Sequence, residues 1–218
     1  MTQKVLIFDF DGTLADSRKT LVHIANKLAG EFGFDRVTED EIIRLSNLSS
    51  REIVQQSPIP TYKIPFLLRR VKKELNQEIK KLQPFIGIKE TLNSLKSQGF
   101  LLGIVTSNIE NNVLDFLKSN QLENHFDFIY SGSSLFGKDK IIKKVIQKHQ
   151  LLTDHIVYIG DETRDIEAAK KSKIKVVAVT WGFNSAHILA QHNPDFLIHQ
   201  PQELTEIFNT KNIKISVE

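Results

Sequence analysis

A regular alternation of apolar strands and helical patterns, which begins after residue 84, limits the folds open to this chain. Alternation at this spacing is typical of a doubly wound parallel sheet with helices on both faces. The predicted strands are Leu101–Thr106, Phe126–Tyr130, Ile156–Gly160, Val176–Thr180 and Phe196–Ile198, and the predicted helices are Ile88–Ser97, Asn111–Lys118, Lys138–His149, Arg164–Ser172, Ser185–Gln191 and Pro201–Phe208. The sequence therefore predicts an α/β fold that binds its ligand at the carboxyl ends of the strands. The tail either is loose or adds an edge strand at Ile213–Val217.

The region from residue 16 to residue 84 has a different character, because it holds helical patterns and no convincing strand. One helical face carries Leu21, Ile24, Leu28 and Phe32, and a capping-box pattern at Thr38–Glu41 predicts the start of a short helix. We therefore expect residues 1–15 and 85–218 to form an α/β core domain. Residues 16–84 are expected to form an all-helical domain inserted after the first strand.

The mild net charge of +3 gives little reason to expect a nucleic-acid partner. Most of the basic excess lies between Lys63 and Lys81, where seven Lys or Arg residues accompany two Glu. This stretch is either a surface for an anionic partner or the solvated side of an amphipathic helix that starts at Pro65, and its spacing favours the helix. The apolar residues at helical spacing are Leu68, Val71, Leu75, Ile79 and Leu82.

Composition excludes several further classes. The chain has no cysteine, which excludes disulfides, thiolate zinc sites and cysteine nucleophiles. It contains no apolar run long enough for a transmembrane helix and no pattern of a signal peptide. We expect a cytoplasmic protein, either a monomer or a homodimer, without a membrane partner.

Two pairs of acidic residues follow predicted strands. Asp9 and Asp11 come directly after the apolar run Val5–Phe8, and Gly12 allows a turn. Asp161 and Asp165 follow Gly160 and lie one helical turn apart if a helix starts there. Like charges so close together resist joint ionisation unless a cation sits between them or one carboxyl group is protonated. A metal site explains such pairs better than a structural role, and we expect Mg²⁺, which prefers oxygen ligands.

These acidic segments resemble the first and fourth motifs of the haloacid dehalogenase superfamily, Asp-x-Asp-Gly-Thr and Gly-Asp-x-x-x-Asp. The second motif, a strand that ends in hydroxyls, is matched by Thr106 and Ser107, with Thr106 preferred. The third motif, a lysine near a helix start, is matched by Lys138, with Lys140 as the alternative. Many relatives have a proline after this lysine, and this chain does not. The resemblance covers nearly the whole chain and implies a Rossmann-like core with a small helical cap.

The resemblance also implies a mechanism of phosphoryl transfer. Asp9 would be the nucleophile and Asp11 the general acid and base, while Thr106 and Lys138 would steady the phosphoryl oxygens. The substrate-binding residues would be Thr106, Ser107, Asn108, Lys138 and Arg51, and the magnesium ligands would be Asp9, Asp11 through its backbone carbonyl, Asp161 and Asp165. Relatives that are dehalogenases lack an acid at the position of Asp11, so the expected activity is a phosphatase, most similar to the phosphoglycolate phosphatase-like group.

Three functions stay open on the sequence alone. The preferred one is hydrolysis of a small phosphorylated metabolite, with Arg51 in the cap as the expected contact for an anionic group. A sugar phosphomutase on the same scaffold is the first alternative, and a non-catalytic binding protein is the second. The segment Trp181–Asn184 is expected either to wall the mouth of the site or to pack the end of the sheet.

Overall fold

The structure is a computed structural model that describes residues 4–132 and 137–209. A parallel sheet of six strands forms its centre, in the order β3-β2-β1-β4-β5-β6. The strands are β1 (Val5–Phe8), β2 (Leu101–Thr106), β3 (Phe128–Ser131), β4 (Ile156–Gly160), β5 (Lys175–Val179) and β6 (Phe196–Ile198). This topology confirms the predicted α/β class. The suggested edge strand at Ile213–Val217 lies outside the described residues.

Ten α-helices are found in the described part of the chain. They are α1 (Arg18–Phe32), α2 (Glu39–Ser46), α3 (Ser50–Gln56), α4 (Ile64–Glu78), α5 (Ile88–Ser97), α6 (Glu110–Ser119), α7 (Lys138–Lys148), α8 (Thr163–Lys171), α9 (Ala186–Gln191) and α10 (Glu203–Asn209). The strands and helices predicted after residue 84 are all present, and their bounds differ from the predictions by at most two residues. None of the described helices is both long and apolar enough to cross a membrane.

Strand β1 sends alternate side chains into two cores, one on each face of the sheet. Leu6 and Phe8 join a cluster on one face, together with residues of α5 and α6, whereas Val5 and Ile7 join a cluster on the other face with residues of α7 and α8. All four side chains are at most 1% exposed. Because both faces of a parallel sheet are buried, its strands are apolar throughout, and only their ends can present polar groups to a ligand.

The segment between β1 and α5 holds helices α1–α4, and the chain enters and leaves this segment at one place. The backbone N–H of Asp16 donates to the carbonyl of Gln83 at 3.0 Å, and the N–H of Phe85 donates to the carbonyl of Leu14 at 3.1 Å. Two adjacent connections of this kind fit the predicted insertion of residues 16–84. The division into two domains stays a prediction.

Local capping explains the short helices of this segment. The Thr38 hydroxyl accepts from the N–H of Glu41 at the start of α2, as the sequence predicts. A capping box of Ser49 and Glu52 starts α3. Arg51 is therefore a residue of the first turn of α3.

Candidate active site

The carboxyl ends of β1, β2 and β4 are neighbours in the sheet, and each is followed by a polar residue that the sequence singled out. Strand β1 leads to Asp9, β2 ends in Thr106, and β4 leads to Asp161. All three are at most 2% exposed. The chain order of the strands reverses between β1 and β4, and such a switch point is where doubly wound sheets bind their ligands.

Asp9 continues the pairing of β1 and is held on both sides. Its backbone N–H donates to the carbonyl of Ile159 in β4 at 2.8 Å. One carboxylate oxygen, Oδ2, lies 2.9 Å from the Nζ of Lys138. Phe10, between Asp9 and Asp11 in the chain, points away from Lys138 and packs edge-to-face on Phe116, with ring centroids 5.1 Å apart. Asp9 and Phe10 therefore point to opposite sides, as successive residues of a strand do.

Lys138 is the first residue of α7, and its ammonium enters the site between two carboxylates. In addition to Asp9, it contacts Oδ1 of Asp165 at 2.5 Å, and the residue is only 5% exposed. Burial lowers the pKa of Lys138, but the charges of Asp165 and Asp9 outweigh burial and leave its pKa raised. The predicted alternative, Lys140, is exposed. The geometry therefore places Lys138 rather than Lys140 beside Asp9.

Three carboxylates converge at this point. Asp9, Glu162 and Asp165 each offer one oxygen, and these oxygens lie within 4.8 Å of one another. Glu162 caps α8 together with Asp165, whose carboxylate accepts from the Glu162 N–H at 3.1 Å. Burial, with the charges of Asp9 and Glu162, raises the pKa of Asp165 to about 6, although Lys138 acts against the rise. A hard divalent cation is suited to such a set of oxygen donors.

Glu162 is a residue that the sequence analysis missed. It lies in the fourth motif at a position that the resemblance leaves unspecified, between Asp161 and Asp165. Its side chain also pairs with the guanidinium of Arg164. The only sequence signal was its acidic character beside two other carboxylates, which did not distinguish a ligand from a helix cap.

Asp161 lies beside the three-carboxylate group and is not a member of it. The residue is fully buried, and its two oxygens accept from the Thr13 hydroxyl at 2.7 Å and from the Phe183 N–H at 2.8 Å. Burial raises the pKa of Asp161 well above its usual value, and the charges of Glu162, Asp9 and Asp165 raise it further. Its predicted role as a metal ligand stays a prediction.

Two glycines allow the backbone to approach Asp161. A Cβ at either Gly12 or Gly182 would lie 2.2 Å from Oδ2 of Asp161, which is far inside van der Waals contact. Gly12 also has φ +78°, a conformation that favours glycine. The glycine of the first motif is therefore required both by the turn and by the proximity of the fourth motif.

Asp11 has the environment of a carboxyl group that exchanges protons near neutral pH. Burial and the charge of Asp9 raise its pKa to about 6, against the opposing effects of Ser17, Asn108 and Arg164. Its Oδ2 accepts from Nδ2 of Asn108 at 2.8 Å. Its Oδ1 is buried and receives no hydrogen bond of normal geometry from the described residues. One oxygen of Asp11 is thus positioned by Asn108, and Ser17 acts on the same carboxyl group.

The loop after β2 supplies the remaining predicted polar residues. The Thr106 hydroxyl oxygen accepts from the N–H of Asn108 at 3.0 Å, and both residues are buried, whereas Ser107 is half-buried. Oδ1 of the Asn108 side chain accepts a hydrogen bond from Nδ2 of Asn112 at 2.9 Å. These hydrogen bonds fix Asn108, whose Nδ2 donates to Asp11. The sequence spacing of the motifs did not reveal this contact.

Arg51, the predicted cap contact, forms an exposed ion pair. Its Nη2 lies 3.1 Å from Oε2 of Glu167, and its side chain is 58% exposed. It also lines a small cavity of about 40 Å³ with Lys138 and Arg164. Its role in binding an anionic group stays a prediction.

The segment Trp181–Asn184 connects the loop of the first motif with the inserted helices, and its two predicted uses stay predictions. Nε1 of Trp181 donates to the carbonyl of Thr13 at 3.1 Å, which packs the segment onto the loop of the first motif. Nδ2 of Asn184 donates to the carbonyls of Ser46 at 3.2 Å and Leu48 at 3.0 Å. The segment therefore holds the end of α2 against the mouth of the site.

Comparison with known proteins identifies the class of this chain. Residues 6–179 match the family model described as haloacid dehalogenase-like hydrolase, so the chain belongs to this family. The resemblance found in the sequence is confirmed, and so is the predicted enzyme class, a phosphoric monoester hydrolase.

Two similar relatives carry the name phosphoglycolate phosphatase. The protein from Synechococcus elongatus is 36% identical over 203 residues, which cover 93% of this chain and 96% of the relative. The protein from Aquifex aeolicus is 26% identical over 209 residues, which cover 94% and 97%.

Solved structures share the fold. The crystal structure of a predicted phosphatase from Clostridium acetobutylicum aligns with a TM-score of 0.82 at 21% identity, and covers 95% of this chain and 99% of its own. A predicted phosphoglycolate phosphatase from Haemophilus somnus aligns with a TM-score of 0.76 at 22% identity, and covers 95% and 99%. At these identities the likeness concerns the fold alone.

Proposed function

We propose that this chain is a Mg²⁺-dependent phosphatase that hydrolyses a small phosphomonoester through an aspartyl-phosphate on Asp9. The observation that carries the proposal is the placement of Asp9. Its buried carboxylate lies 2.9 Å from Lys138 and beside the oxygens of Glu162 and Asp165. A carboxylate fixed among a cation and further acids supports covalent catalysis, because its orientation is set before the substrate binds.

In this mechanism an oxygen of Asp9 attacks phosphorus while the bond from phosphorus to the leaving oxygen breaks. Asp11 gives its proton to the leaving oxygen, which departs as an alcohol. Asp11 then takes a proton from a water whose oxygen attacks phosphorus, the bond between Asp9 and phosphorus breaks, and inorganic phosphate leaves. The pKa of Asp11, about 6, and the hydrogen bond from Asn108 that orients its carboxyl group support this double role.

The donor set fits a divalent cation. Asp9, Glu162 and Asp165 supply oxygens at one point, and Asp161 and the backbone carbonyl of Asp11 are further candidates close to them. Mg²⁺ held by these oxygens would neutralise negative charge on the phosphoryl group. Lys138 would act on the same charge from the protein side, and the Thr106 hydroxyl and the backbone of the loop after Asp9 would orient the phosphoryl oxygens.

The name of the Synechococcus relative supports 2-phosphoglycolate as the first substrate to test. We infer that residues 16–84 act as a cap over the strand ends, since Asn184 ties α2 to the loop that also contacts Asp161. A cap of this kind would exclude bulk water and leave room only for a small alcohol part of the substrate.

Metal removal tests the proposal. We expect purified protein to release phosphate from 2-phosphoglycolate and from p-nitrophenyl phosphate in the presence of Mg²⁺. Dialysis against EDTA should reduce the rate at least about 10²-fold, and added Mg²⁺ should restore it, because the buried acids need a counter-charge before they can accept a phosphoryl group. Phosphate release measured with a colorimetric assay checks the result. Full activity after EDTA dialysis would contradict the metal requirement, and no phosphate from any phosphomonoester would contradict the phosphatase.

A further inference from the structure

Asn112 is a fully buried polar residue that belongs to none of the motifs found in the sequence. It lies in the first turn of α6, and its side chain meets helix α4 of the inserted segment. Nδ2 of Asn112 donates to the carbonyl of Lys72 at 3.2 Å, and Oδ1 of Asn112 accepts from Nδ2 of Asn76 at 2.8 Å. These two bonds satisfy the oxygen and one N–H of the buried amide, and they leave its second N–H for another partner.

The second N–H of Asn112 connects α4 with the candidate active site. Nδ2 of Asn112 also donates to Oδ1 of Asn108 at 2.9 Å, and Nδ2 of Asn108 donates to Oδ2 of Asp11 at 2.8 Å. Asn108 is buried as well, at 2% exposed. Two buried amide side chains therefore lead from the backbone of α4 to the carboxyl group that is the general acid in the proposed function.

The orientation of both amides follows from backbone groups that cannot reverse their roles. A carbonyl only accepts, so the Lys72 carbonyl requires the nitrogen of Asn112 on its side. A backbone N–H only donates, and the N–H of Ile109 donates to Oδ1 of Asn108 at 2.7 Å. The nitrogen of Asn112 is a second donor to the same oxygen. Because two donors hold its oxygen, Asn108 presents its nitrogen to Asp11.

The direction of the bond from Asn108 to Asp11 matters for proton transfer. A donor at Oδ2 fixes the carboxyl group and leaves its proton free for the leaving oxygen. If the Asn108 amide were reversed, its oxygen would accept that proton in a hydrogen bond and compete with the leaving oxygen. A displacement of about 1 Å in a reacting group can lower a rate by about 10²-fold. The amide of Asn112 therefore has a means of affecting the chemistry without contact with Asp11.

Building on the proposed function, we propose that Asn112 is a positioning residue that, through Asn108, orients the carboxyl group of Asp11 toward the leaving oxygen. Asn112 acts through another side chain and is not itself a catalytic residue. Two of its three hydrogen-bond partners belong to α4. The contact of the inserted helix α4 with α6 and the orientation of the general acid are thereby linked, so the inserted segment takes part in protonating the leaving group as well as in covering the site.

The test compares two aryl phosphates of similar size whose leaving groups differ in their need for a proton. The phenol of phenyl phosphate is a weak acid, like the tyrosine side chain, and leaves slowly unless it is protonated, whereas p-nitrophenol leaves as an anion. In Asn112→Leu, kcat/KM for phenyl phosphate should fall about 10- to 100-fold. For p-nitrophenyl phosphate kcat/KM should stay within about 3-fold of the wild-type value, because it reports only the steps up to departure of the alcohol.

Asn76→Asp tests the same link from the surface of α4. Asn76 is exposed, so this variant should fold, and its carboxylate cannot donate to Oδ1 of Asn112. Loss of this bond and repulsion between the two oxygens should lower kcat/KM for phenyl phosphate about 3- to 10-fold, again with little change for p-nitrophenyl phosphate. The matched control is Gln77→Glu, the same change of amide to carboxylate on the next exposed residue of α4, which should leave both constants unchanged.

The outcomes separate this inference from the proposed function. If the wild type hydrolyses both aryl phosphates but Asn112→Leu and Asn76→Asp lower the two constants by the same factor, or lower neither, the inference is wrong and the phosphatase stands. If Asn112→Leu does not fold, Asn76→Asp decides: a loss confined to phenyl phosphate and absent from Gln77→Glu supports the inference, and any other result contradicts it. If the wild type hydrolyses no phosphomonoester, the proposed function fails and the inference with it.

Discussion

Replacement of Asp9 by asparagine is expected to abolish phosphate release, with kcat reduced by at least about 10⁴-fold. Asparagine has nearly the same shape and can still accept a hydrogen bond from Lys138, which lies 2.9 Å from the present carboxylate. It lacks the charged oxygen that attacks phosphorus. Steady-state hydrolysis of p-nitrophenyl phosphate with Mg²⁺ measures the effect.

The matched control is Asp154→Asn. Asp154 is exposed and precedes β4, at the edge of the sheet opposite to the candidate site. The same change of carboxylate to amide there should leave kcat unchanged. Residual activity of Asp9→Asn above about one-hundredth of the wild type would show that another group is the nucleophile.

Replacement of Asp161 by asparagine should have two effects of opposite sign. Activity should fall about 10³-fold, the magnitude typical of removing a charged or polar group that stabilises the transition state. The melting temperature of the metal-free protein should rise at pH 8. Asp161 is fully buried beside three other acids, and an uncompensated buried charge costs several kcal/mol, whereas the amide loses one hydrogen bond, worth about 1 kcal/mol.

The pH dependence of this gain follows from the raised pKa of Asp161 in the folded state. In the unfolded chain an aspartate loses its proton near pH 4. At the same pH the Asp161 carboxyl group of the folded protein is still protonated. Folding stability therefore falls as the pH rises from about 4 through the folded pKa. The stabilisation by Asp161→Asn should be larger at pH 8 than at pH 5 and should vanish as the pH approaches 4.

Thermal unfolding in EDTA at several pH values checks this prediction. In a chain of this size each 1 kcal/mol corresponds to about 2–4 °C in melting temperature. Asp154→Asn serves again as the control, because its exposed carboxylate should give no gain at either pH. A lower melting temperature of Asp161→Asn at pH 8 would contradict the view that the acids of the metal-free site repel one another.

The parts of the fold that depend on local pattern could be predicted from the sequence. Helix α5 was predicted with its exact bounds, because apolar spacing and a glycine at the helix start act within a few residues. The convergence of Asp9 and Asp161 also followed from the sequence, since both acids come after strands that a parallel sheet must align at one edge.

Other parts of the site depend on tertiary packing and were not predictable in the same way. The basic helix was interpreted as a solvated face, and this holds for exposed Lys73 but not for Lys72. The helical spacing of Lys72 to Leu68 and Leu75 was a sequence signal that could have distinguished half-buried Lys72 from exposed Lys73. The contact of Asn112 with the carbonyl of Lys72 had no such signal, because it joins helices α4 and α6, which are far apart in the chain.

Glu162 shows a third limit of the sequence. Three consecutive or nearly consecutive acids, Asp161, Glu162 and Asp165, start one helix, and their order alone does not say which oxygens face Asp9. The capping box of Glu162 and Asp165 turns both toward Asp9, whereas the bonds from Thr13 and Phe183 hold Asp161 to one side. The assignment depends on rotamers that hydrogen bonds fix after the chain has folded.

Trapping the covalent intermediate tests the central claim most directly. Asp11→Asn retains the nucleophile but lacks the base that activates water, so breakdown of the intermediate should slow by about 10²- to 10⁴-fold. The leaving group of p-nitrophenyl phosphate departs without a proton, so formation of the intermediate should continue. After a reaction with Mg²⁺ is stopped in acid, mass spectrometry should find one phosphoryl group, on the peptide that contains Asp9. A burst of p-nitrophenol with the phosphoryl group on another residue, or on none, would contradict the mechanism.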